Sequence, residues 1–489
     1  MSTGEGQADR SAAQSRYGAQ IYWQETVERP PVEVLGDDLR ADVAIVGGGL
    51  TGLWTAVYLK RADPQLEVVV LEAEQVGFGG TGRNTGNAIT KLDRSLAHLE
   101  SRLGLERARI LFNAVATAVD EIGRVCEEVE IDCDYRKTGW LNVATNPGQE
   151  RRLRVDFEAG ERIGIEGLRL LSRDEIRARV NSPTYLAGLF NPASAVVNPT
   201  QLAVGLARHA RELGVQVYED SAVRGWERAT RDGELETEHG RVTAQQIVIA
   251  TNAWRPPCVP RVVMPVYSYI VATPPLSEAQ WETVGWKGFE TVLDKRNYFH
   301  YARRTADGRI LWGGTDALYH FGSKIAPRFD SHGSTADRLR RTFHETFPQL
   351  GEIRFTHAWG GPVAITASFH PCFGSLAGGR IHYGVGYCGH GVAVANLGGR
   401  ILRDLVLHRD TDETNLPLVG DKAYRMPTEP LRWFGARVTR SSMRKQDRSL
   451  DRGRGVEQST RDPFPLRALD GLSGHGKKPR SFPGTKKGA

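Results

Sequence analysis

Three glycines have a spacing that can serve a chemical purpose: Gly47, Gly49 and Gly52 form a G-x-G-x-x-G pattern. In such a pattern the first glycine permits a tight turn, the second lets the backbone approach a diphosphate, and the third lets a helix pack closely. Glu72 follows 20 residues after Gly52, where a carboxylate accepts hydrogen bonds from ribose hydroxyls and disfavours a 2′-phosphate. The spacing therefore predicts a dinucleotide site that does not favour NADP.

The residues around the glycines predict the elements that such a site needs. Residues 43–46 form a short apolar run typical of a buried parallel strand, and 67–71 form a second run that ends at Glu72. Between them, apolar residues recur at helical spacing from Leu50 to Tyr58. The N-terminus of this helix would present N–H groups and a positive dipole end to phosphates. The order of strand, turn, helix and strand makes the pattern specific, and it adds three expected cofactor contacts: Gly48, Thr51 and Ala73.

A polar loop with five glycines follows at residues 77–86. Its backbone N–H groups, the Thr81 hydroxyl and the Arg83 guanidinium are donors suited to a diphosphate and a flavin ring. A flexible surface loop is the alternative, although an Arg-Asn pair among so many glycines is unusual for a linker. We therefore expect cofactor contacts at Gly79, Thr81, Arg83 and Asn84.

Two further segments are expected to reach the same cofactor. Asn198 and Gly214 are typical of the start and end of a helix. The strand predicted after this helix leads to Val223, whose backbone is expected beside the adenine. Another apolar run, 246–250, ends at Thr251, which is a second expected contact.

A second glycine-rich turn between a strand and a helix lies at residues 383–392. The helix that begins there would place its positive dipole end where a reduced flavin carries negative charge. A turn that serves only packing is the alternative. The expected cofactor contacts in this turn are Gly386, Gly389, His390, Gly391 and Val392.

The candidates for substrate contact are aromatic and histidine side chains. Within strand-like stretches between residues 262 and 302, five of them alternate with apolar residues: Tyr267, Tyr269, Tyr298, His300 and Tyr301. Part of this set is expected to line a substrate pocket, with packing inside a sheet an equal alternative for any one member. His390 is expected to contact the flavin or the substrate, against the alternative of a histidine satisfied by backbone. The catalytic candidates are therefore His390, Tyr298, His300 and Tyr267.

Composition and charge argue against several classes of protein. Residues 449–489 carry nine Lys and Arg against four acids, which accounts for +5 of the net charge of +6. A solvated, disordered tail is therefore favoured over a nucleic-acid-binding protein. The five cysteines lack CxxC spacing, so we expect no metal site, no disulfide framework and a cytoplasmic protein. No run approaches 18 apolar residues, so no membrane span is expected.

Together these motifs resemble the D-amino-acid oxidase superfamily of flavoproteins, above all the gamma-glutamylputrescine oxidoreductases and their glycine- and sarcosine-oxidase relatives. The similarity covers about residues 20–447. The stretches that carry it are 47–52 with Glu72, 79–86, 251–254, 309–314, 359–362 and 386–392.

The resemblance implies an α/β protein, α+β overall, in which a discontinuous Rossmann-like FAD-binding domain holds an inserted mixed-β-sheet substrate domain. We assign residues 41–90, 195–255 and 355–410 to the FAD-binding domain, and residues 91–194 and 256–354 to the substrate domain. The remaining assignments are an N-terminal arm at 1–40, a C-terminal extension at 411–448 and a basic disordered tail at 449–489.

The activity implied is that of an FAD-dependent oxidoreductase acting on a small amine or amino acid. Hydride passes from the carbon next to nitrogen to the flavin, and the imine is then hydrolysed. Sarcosine oxidases attach their flavin through a cysteine where this chain has Trp-Gly-Gly at 359–361, so the FAD is expected to be non-covalent, although Cys372 and Cys388 leave attachment open.

The electron acceptor stays open between oxygen and another oxidant. Those oxidases carry an oxygen-activating lysine near a strand that here reads Ile-Leu-Trp at 310–312. Two alternative functions also stand: an NAD-dependent dehydrogenase of simple doubly wound type, and a non-catalytic flavin-binding subunit.

Overall fold

The computed structural model of the protein describes residues 19–92, 94–420 and 424–472. The strands in these ranges are β1 (Leu39–Val46), β2 (Val68–Leu71), β3 (Asn87–Ala88), β4 (Trp140–Ala144), β5 (Arg169–Leu171), β6 (Ala187–Asn191), β7 (Ala195–Val196), β8 (Gln216–Tyr218), β9 (Glu234–Glu236), β10 (Arg241–Ile249), β11 (Val263–Ala272), β12 (Thr291–Asp294), β13 (His300–Arg304), β14 (Ile310–Gly314), β15 (His357–Thr366), β16 (Cys372–Leu376) and β17 (Ile381–Val385).

The α-helices in the same ranges are α1 (Leu50–Ala62), α2 (Leu96–Leu103), α3 (Leu105–Glu128), α4 (Pro147–Ile163), α5 (Arg173–Arg179), α6 (Pro199–Glu212), α7 (Ala229–Asp232), α8 (Glu278–Val284), α9 (Gly333–Thr346), α10 (Gly391–Val406), α11 (Leu431–Asp451) and α12 (Phe464–Leu472). Short 3-10 helices lie at Tyr22–Thr26, Thr81–Arg83, Phe321–Ser323, Pro327–Phe329, Pro348–Leu350, Ala377–Gly379 and Val456–Gln458. Among the helices described, none has the length and apolar character that a membrane span requires.

The first sheet has a parallel core. Its order is β16-β17-β10-β1-β2-β8, and β9 pairs with β10 off this path. Val46 at the end of β1 pairs with Ile249 of β10 on one side and Leu71 of β2 on the other. Because β17, β10, β1, β2 and β8 run parallel, their carboxyl ends meet at one edge of the sheet, which is where ligands bind in open α/β sheets.

Helix α1 is buried on nearly all sides because it packs between the first sheet and α10. Gly52 lies so close to the turn below it that an added Cβ would stand 2.0 Å from the Gly47 carbonyl oxygen. On the other side, Gly399 of α10 approaches α1 so closely that a Cβ there would stand 2.6 Å from Trp54 Cβ. These glycines permit the close packing that the sequence pattern predicts for the turn.

The second sheet is mixed and has the order β15-β11-β14-β13-β12-β4-β6-β5. Most of its strand pairs are antiparallel, whereas β12 and β4 are parallel. Side chains alternate along β11: Tyr267 and Tyr269 enter a core with α9 on one face, while Val266 and Ser268 point to the other face. One face of this sheet thus packs on helices and the other forms the wall of a cavity.

One boundary of the predicted domains needs correction. Residues 355–410 were assigned to the FAD-binding unit, but β15 is an edge strand of the second sheet and pairs with β11 along its whole length. Two glycines in β15 make its strand character difficult to recognise in the sequence. Gly360 lies against the Tyr269 ring and Gly361 against Arg83, and neither position has room for a Cβ without displacement. The division into domains otherwise remains a prediction.

The expectation of a disordered tail over 449–489 is wrong for residues 449–472. Helix α11 extends to Asp451, a 3-10 turn follows, and α12 begins at Phe464. Leu450 and Leu466 are each only 2 % exposed, so they supply the apolar burial that the average composition of the tail conceals. Residues 473–489 lie outside the described part of the chain.

Candidate active site

A cavity of about 1390 Å³ lies where the parallel strands of the first sheet end. Val46, Leu71 and Ala250 line it from the first sheet, and Ser268 and Tyr301 line it from the second. Small-molecule sites usually have volumes of roughly 300–1,000 Å³. The space is therefore large enough for a cofactor together with a substrate.

The first glycine turn forms one end of this cavity. Gly47 has a φ of +111°, and a Cβ there would lie 2.8 Å from the Ala250 carbonyl oxygen, so only glycine fits without strain. Helix α1 begins after Gly49, which provides no side-chain cap. Gly47, Gly49 and Thr51 line the cavity, whereas Gly48 and Gly52 support the turn from behind. The N-terminus of α1 is thus available to an anion.

Glu72 lies beside this turn at the end of β2. Its Oε2 accepts the Gly48 N–H at 2.6 Å and its Oε1 accepts the Glu74 N–H at 3.1 Å. Burial raises the pKa of the Glu72 carboxyl to about 7. Together with Ala73 it lines the cavity, so an oriented carboxylate is present where the sequence predicts ribose recognition.

The loop at residues 77–86 is folded by its own side chains. The Thr81 hydroxyl accepts the Leu50 N–H at 3.1 Å, in the first turn of α1. The Asn84 amide donates to the Gly80 and Thr81 carbonyls at 3.0 and 2.7 Å, and its oxygen accepts the Gly86 N–H at 2.6 Å. Gly79, Thr81 and Asn84 all line the cavity. Asn84 therefore shapes the loop as well as facing the site.

Arg83 lines the cavity, and its guanidinium also has a partner that the sequence did not predict. Its guanidinium forms a buried ion pair with Asp330, with Nη1 and Oδ2 2.6 Å apart, and its Nε donates to the Phe78 carbonyl at 3.0 Å. The positive charge of Arg83, which was expected to bind a diphosphate, is thus paired with the Asp330 carboxylate, which precedes α9. Sequence reasoning missed this because Asp330 lies 247 positions away along the chain.

The second glycine turn meets the first through side chains. Thr51 donates a hydrogen bond from its hydroxyl to the Tyr387 oxygen at 2.7 Å, and the Gly386 N–H donates to the Asn252 side chain at 2.9 Å. Gly386 supports the turn from behind, with a φ of +81°. The residues of this turn that line the cavity include four of those predicted: Gly389, His390, Gly391 and Val392.

Val223 and Thr251 also line the cavity, as predicted. The Thr251 hydroxyl oxygen is buried, and no atom of the described chain forms a hydrogen bond with it. An unsatisfied buried hydroxyl is costly unless a ligand pairs with it. The free hydroxyl, the glycine turn without room for side chains and the oriented Glu72 fit a bound FAD.

Two of the four catalytic candidates do not face the cavity. Tyr267 points to the opposite face of β11, where its ring packs on His320 and Phe329. The His300 side chain lies on the face of β13 that points away from the cavity, stacked on Trp312, with its Nδ1 2.7 Å from Asp294 Oδ2. The strict alternation of side chains in a strand places both away from the site, which corrects the prediction that they contact substrate.

The other two candidates, Tyr298 and His390, line the cavity. Burial raises the pKa of the Tyr298 hydroxyl, so the group stays protonated at neutral pH. No side chain or backbone group of the described residues forms a hydrogen bond with this hydroxyl. Tyr301 also faces the cavity, with its hydroxyl 3.0 Å from the Ser268 hydroxyl. Ser268 was missed, although alternation with Tyr267 and Tyr269 was a usable signal.

Charged residues from distant parts of the sequence complete the wall on the side of the second sheet. Lys295 forms an ion pair with Asp156 of α4, and Arg94 pairs with Asp462 at 2.9 Å. Arg152 of α4 donates to three neutral oxygens, including the Ser459 carbonyl at 2.6 Å. No motif in the sequence indicates these residues, because only the fold brings them together.

Comparison with known proteins agrees with this geometry. The sequence profile of the family described as FAD dependent oxidoreductase matches residues 42–405. A probable oxidoreductase, OrdL, of Haemophilus influenzae is 31 % identical over 381 residues, which cover 76 % of this chain and 84 % of that protein. Gamma-glutamylputrescine oxidoreductase of Escherichia coli is 34 % identical over 408 residues, which cover 81 % and 92 %.

Solved structures share the fold. L-proline dehydrogenase from P. horikoshii aligns with a TM-score of 0.64 and 20 % identity, over 78 % of this chain and 96 % of that one. Glycine oxidase from Geobacillus kaustophilus aligns with a TM-score of 0.62 and 22 % identity, over 76 % and 96 %.

Proposed function

Because the chain belongs to the family of FAD-dependent oxidoreductases, we propose that it oxidises the carbon–nitrogen bond of a small amine or amino acid. One observation carries the proposal: a single cavity joins the nucleotide cradle of the first sheet to a wall of hydroxyl-bearing side chains on the second. The relatives include a gamma-glutamylputrescine oxidoreductase and a glycine oxidase, which supports an amine as substrate. Membership of this family also argues against the alternative function, that of an NAD-dependent dehydrogenase.

FAD, when bound, supplies the acceptor for a hydride from the carbon next to nitrogen. The residues of the chain hold and orient the reactants. Gly47, Glu72 and Thr251 would bind the dinucleotide, and the N-terminus of α10 places a partial positive charge beside the cavity. Loss of hydride from a neutral amine leaves a protonated imine, which water hydrolyses to a carbonyl compound and an amine or ammonia. No side chain needs to remove a proton from carbon.

Tyr298 and His390 are the side chains proposed to contact the substrate or the flavin. The neutral Tyr298 hydroxyl can donate one hydrogen bond and accept another, which suits an uncharged amine. His390 precedes the first turn of α10 without capping it through its side chain.

We propose that the FAD is held without a covalent bond. The Cys388 thiol lines the cavity but donates to the Gly386 carbonyl at 3.1 Å, while Cys372 is buried away from the lining. Acid precipitation of the purified protein is expected to leave all of the yellow colour in solution. Colour that stays in the pellet for the natural protein and leaves it for Cys388→Ser would contradict this.

We also propose that the protein is located in the cytoplasm. All five cysteines are free, and the Cys126 and Cys133 sulfurs lie 3.5 Å apart without a disulfide bond. Disulfide bonds are rare in reducing compartments, with which a set of free cysteines agrees. Cell fractionation that finds the protein among secreted or periplasmic fractions would contradict it.

The test of function is anaerobic reduction of the bound flavin by a panel of amines and amino acids. The proposal expects loss of the yellow colour with at least one secondary or primary amine. A flavin that stays oxidised throughout the panel favours the non-catalytic subunit instead. Admission of air after reduction then distinguishes oxygen from another electron acceptor, because the flavin of an oxidase recovers its colour rapidly and that of a dehydrogenase does not.

A further inference from the structure

The part of the chain that the family profile does not match includes residues 431–466, which we name the C-terminal strap. It consists of α11, the 3-10 turn at Val456–Gln458 and the start of α12. The strap supplies six residues to the cavity wall: Arg432, Met443, Ser459, Thr460, Asp462 and Leu466. A segment outside the part matched by the family profile thus borders the space in which the substrate is proposed to bind.

The strap holds the turn that carries Tyr298. Asp447 of α11 is only 8 % exposed, and its Oδ1 accepts the Asn297 backbone and side-chain N–H groups at 3.0 and 2.9 Å. Its Oδ2 accepts the Tyr298 backbone N–H at 3.1 Å. A buried carboxylate that takes three N–H groups from one turn fixes that turn firmly, because hydrogen bonds to a charged acceptor are the strong ones.

A second attachment holds the segment after β14. Asp316 lines the cavity, is 4 % exposed, and receives two hydrogen bonds from Arg440 of the strap at 2.7 and 2.6 Å. Arg444 of the strap binds the same carboxylate. The strap therefore holds two neighbouring parts of the cavity wall, the turn at 294–298 and the segment at Asp316.

A third attachment fixes the end of the strap against α4. Arg152 donates to the Ser459 carbonyl at 2.6 Å and to the Gln446 side chain at 3.0 Å. Arg152 also donates to the Lys295 carbonyl at 2.9 Å, so one guanidinium joins the strap to the turn at 294–298. Attachment at three places makes the strap a fixed part of the wall.

We propose that the C-terminal strap is a substrate-positioning element, and that Asp447 is the positioning residue that sets Tyr298 against the amine. This inference rests on the proposed function. Asp447 touches neither substrate nor cofactor, and it acts by holding the backbone from which the Tyr298 side chain projects. The strap thereby gives the chain a determinant of substrate specificity outside residues 42–405, the part that the family profile matches.

The test is a double-mutant cycle between Asp447→Asn and Tyr298→Phe, measured as kcat/KM for an amine that reduces the flavin. Asp447→Asn alone is expected to lower kcat/KM by up to about five- to tenfold, the loss expected for removing the Tyr298 hydroxyl itself, with most of the change in KM. In the Tyr298→Phe background the same change should cost less than threefold, because the hydroxyl that it misplaces is gone. Equal losses in both backgrounds would overturn the inference.

A second measurement does not depend on activity. Hydrogen–deuterium exchange of peptides covering residues 294–300 should become faster in Asp447→Asn, because an NH2 group replaces one of the two oxygens that accept the Asn297 and Tyr298 amides. The control is Arg448→Gln, an exposed residue of the same helix, which should leave both exchange and kcat/KM unchanged. Unchanged exchange in Asp447→Asn overturns the positioning role. A flavin that no amine reduces overturns the proposed function while leaving this readout intact.

Discussion

Among single residues, Glu72 is the acid that the sequence motif predicts, and its orientation and pKa are set by the fold. The carboxylate is oriented by two backbone N–H groups, and burial raises its pKa to about 7. Ribose hydroxyls donate to the ionised form, so cofactor binding and proton uptake compete at this group. The motif predicted the residue from spacing alone, while the raised pKa required the fold.

The first prediction concerns the pH dependence of cofactor binding. As the pH falls through about 7, the Glu72 carboxyl takes up a proton, and FAD should bind roughly tenfold more weakly at about pH 6 than at about pH 8. Fluorescence titration of FAD into the apoprotein measures this change. In Glu72→Gln the pH dependence should disappear and the affinity at high pH should fall. The control Glu67→Gln, exposed at the other end of β2, should behave like the natural protein.

The second prediction separates two tyrosines that the sequence could not distinguish. Tyr298→Phe should raise KM by about five- to tenfold, because a hydrogen bond of about 1 kcal/mol to the substrate is lost. Tyr269→Phe should leave KM unchanged and lower the free energy of unfolding by about 1 kcal/mol, since its hydroxyl donates to the Phe329 carbonyl. Steady-state kinetics and denaturant unfolding check both. A larger increase in KM for Tyr269→Phe than for Tyr298→Phe would contradict the position of the cavity.

At the scale of secondary structure elements, local signals predicted the helices and strands near the nucleotide site well. Asn198 caps α6 by accepting the Thr200 and Gln201 N–H groups, as its residue type indicated. The predicted FAD-binding segment 355–410 included β15, whereas β15 pairs with β11 of the second sheet. Gly360 and Gly361 in this strand permit close contact with Tyr269 and Arg83. The structural role of a glycine becomes clear only from the residues that contact it in the folded protein.

The third prediction compares two helical glycines. Gly52→Ala would place a Cβ 2.0 Å from the Gly47 carbonyl oxygen, so we expect a loss of about 1–3 kcal/mol in the free energy of unfolding and a loss of bound flavin. Gly435→Ala lies in α11 with open space around it and should gain about 0.5–1 kcal/mol. Thermal unfolding and flavin absorbance measure both. Full flavin content in Gly52→Ala would count against the close packing of α1.

At the scale of the whole molecule, the motifs predicted the family, the FAD cofactor and the combination of a Rossmann-like sheet with a mixed sheet, and these predictions are confirmed. The contacts that join the two sheets could not be predicted. Arg83 and Asp330 pair across them, and the strap holds cavity segments that precede it by more than a hundred residues. Such pairs leave no periodicity in the sequence.

The fourth prediction tests the ion pair between the glycine loop and the segment before α9. Asp330→Ala leaves the buried Arg83 guanidinium without its carboxylate, so the free energy of unfolding should fall by about 3–5 kcal/mol. Asp337→Ala removes a carboxylate that is 73 % exposed in its pair with Arg340, and it should cost about 1 kcal/mol or less. Urea unfolding measures both. Equal effects of the two changes would show that the buried pair does not join the sheets.

The most direct test of the whole account is a single-turnover reaction. The FAD-loaded protein is mixed without oxygen with an amine that bleaches it, carrying either hydrogen or deuterium on the carbon next to nitrogen. Flavin absorbance should disappear in both reactions and more slowly with deuterium, because that carbon–hydrogen bond breaks as the flavin is reduced. Equal rates for the two amines, or a flavin that remains oxidised, would contradict it.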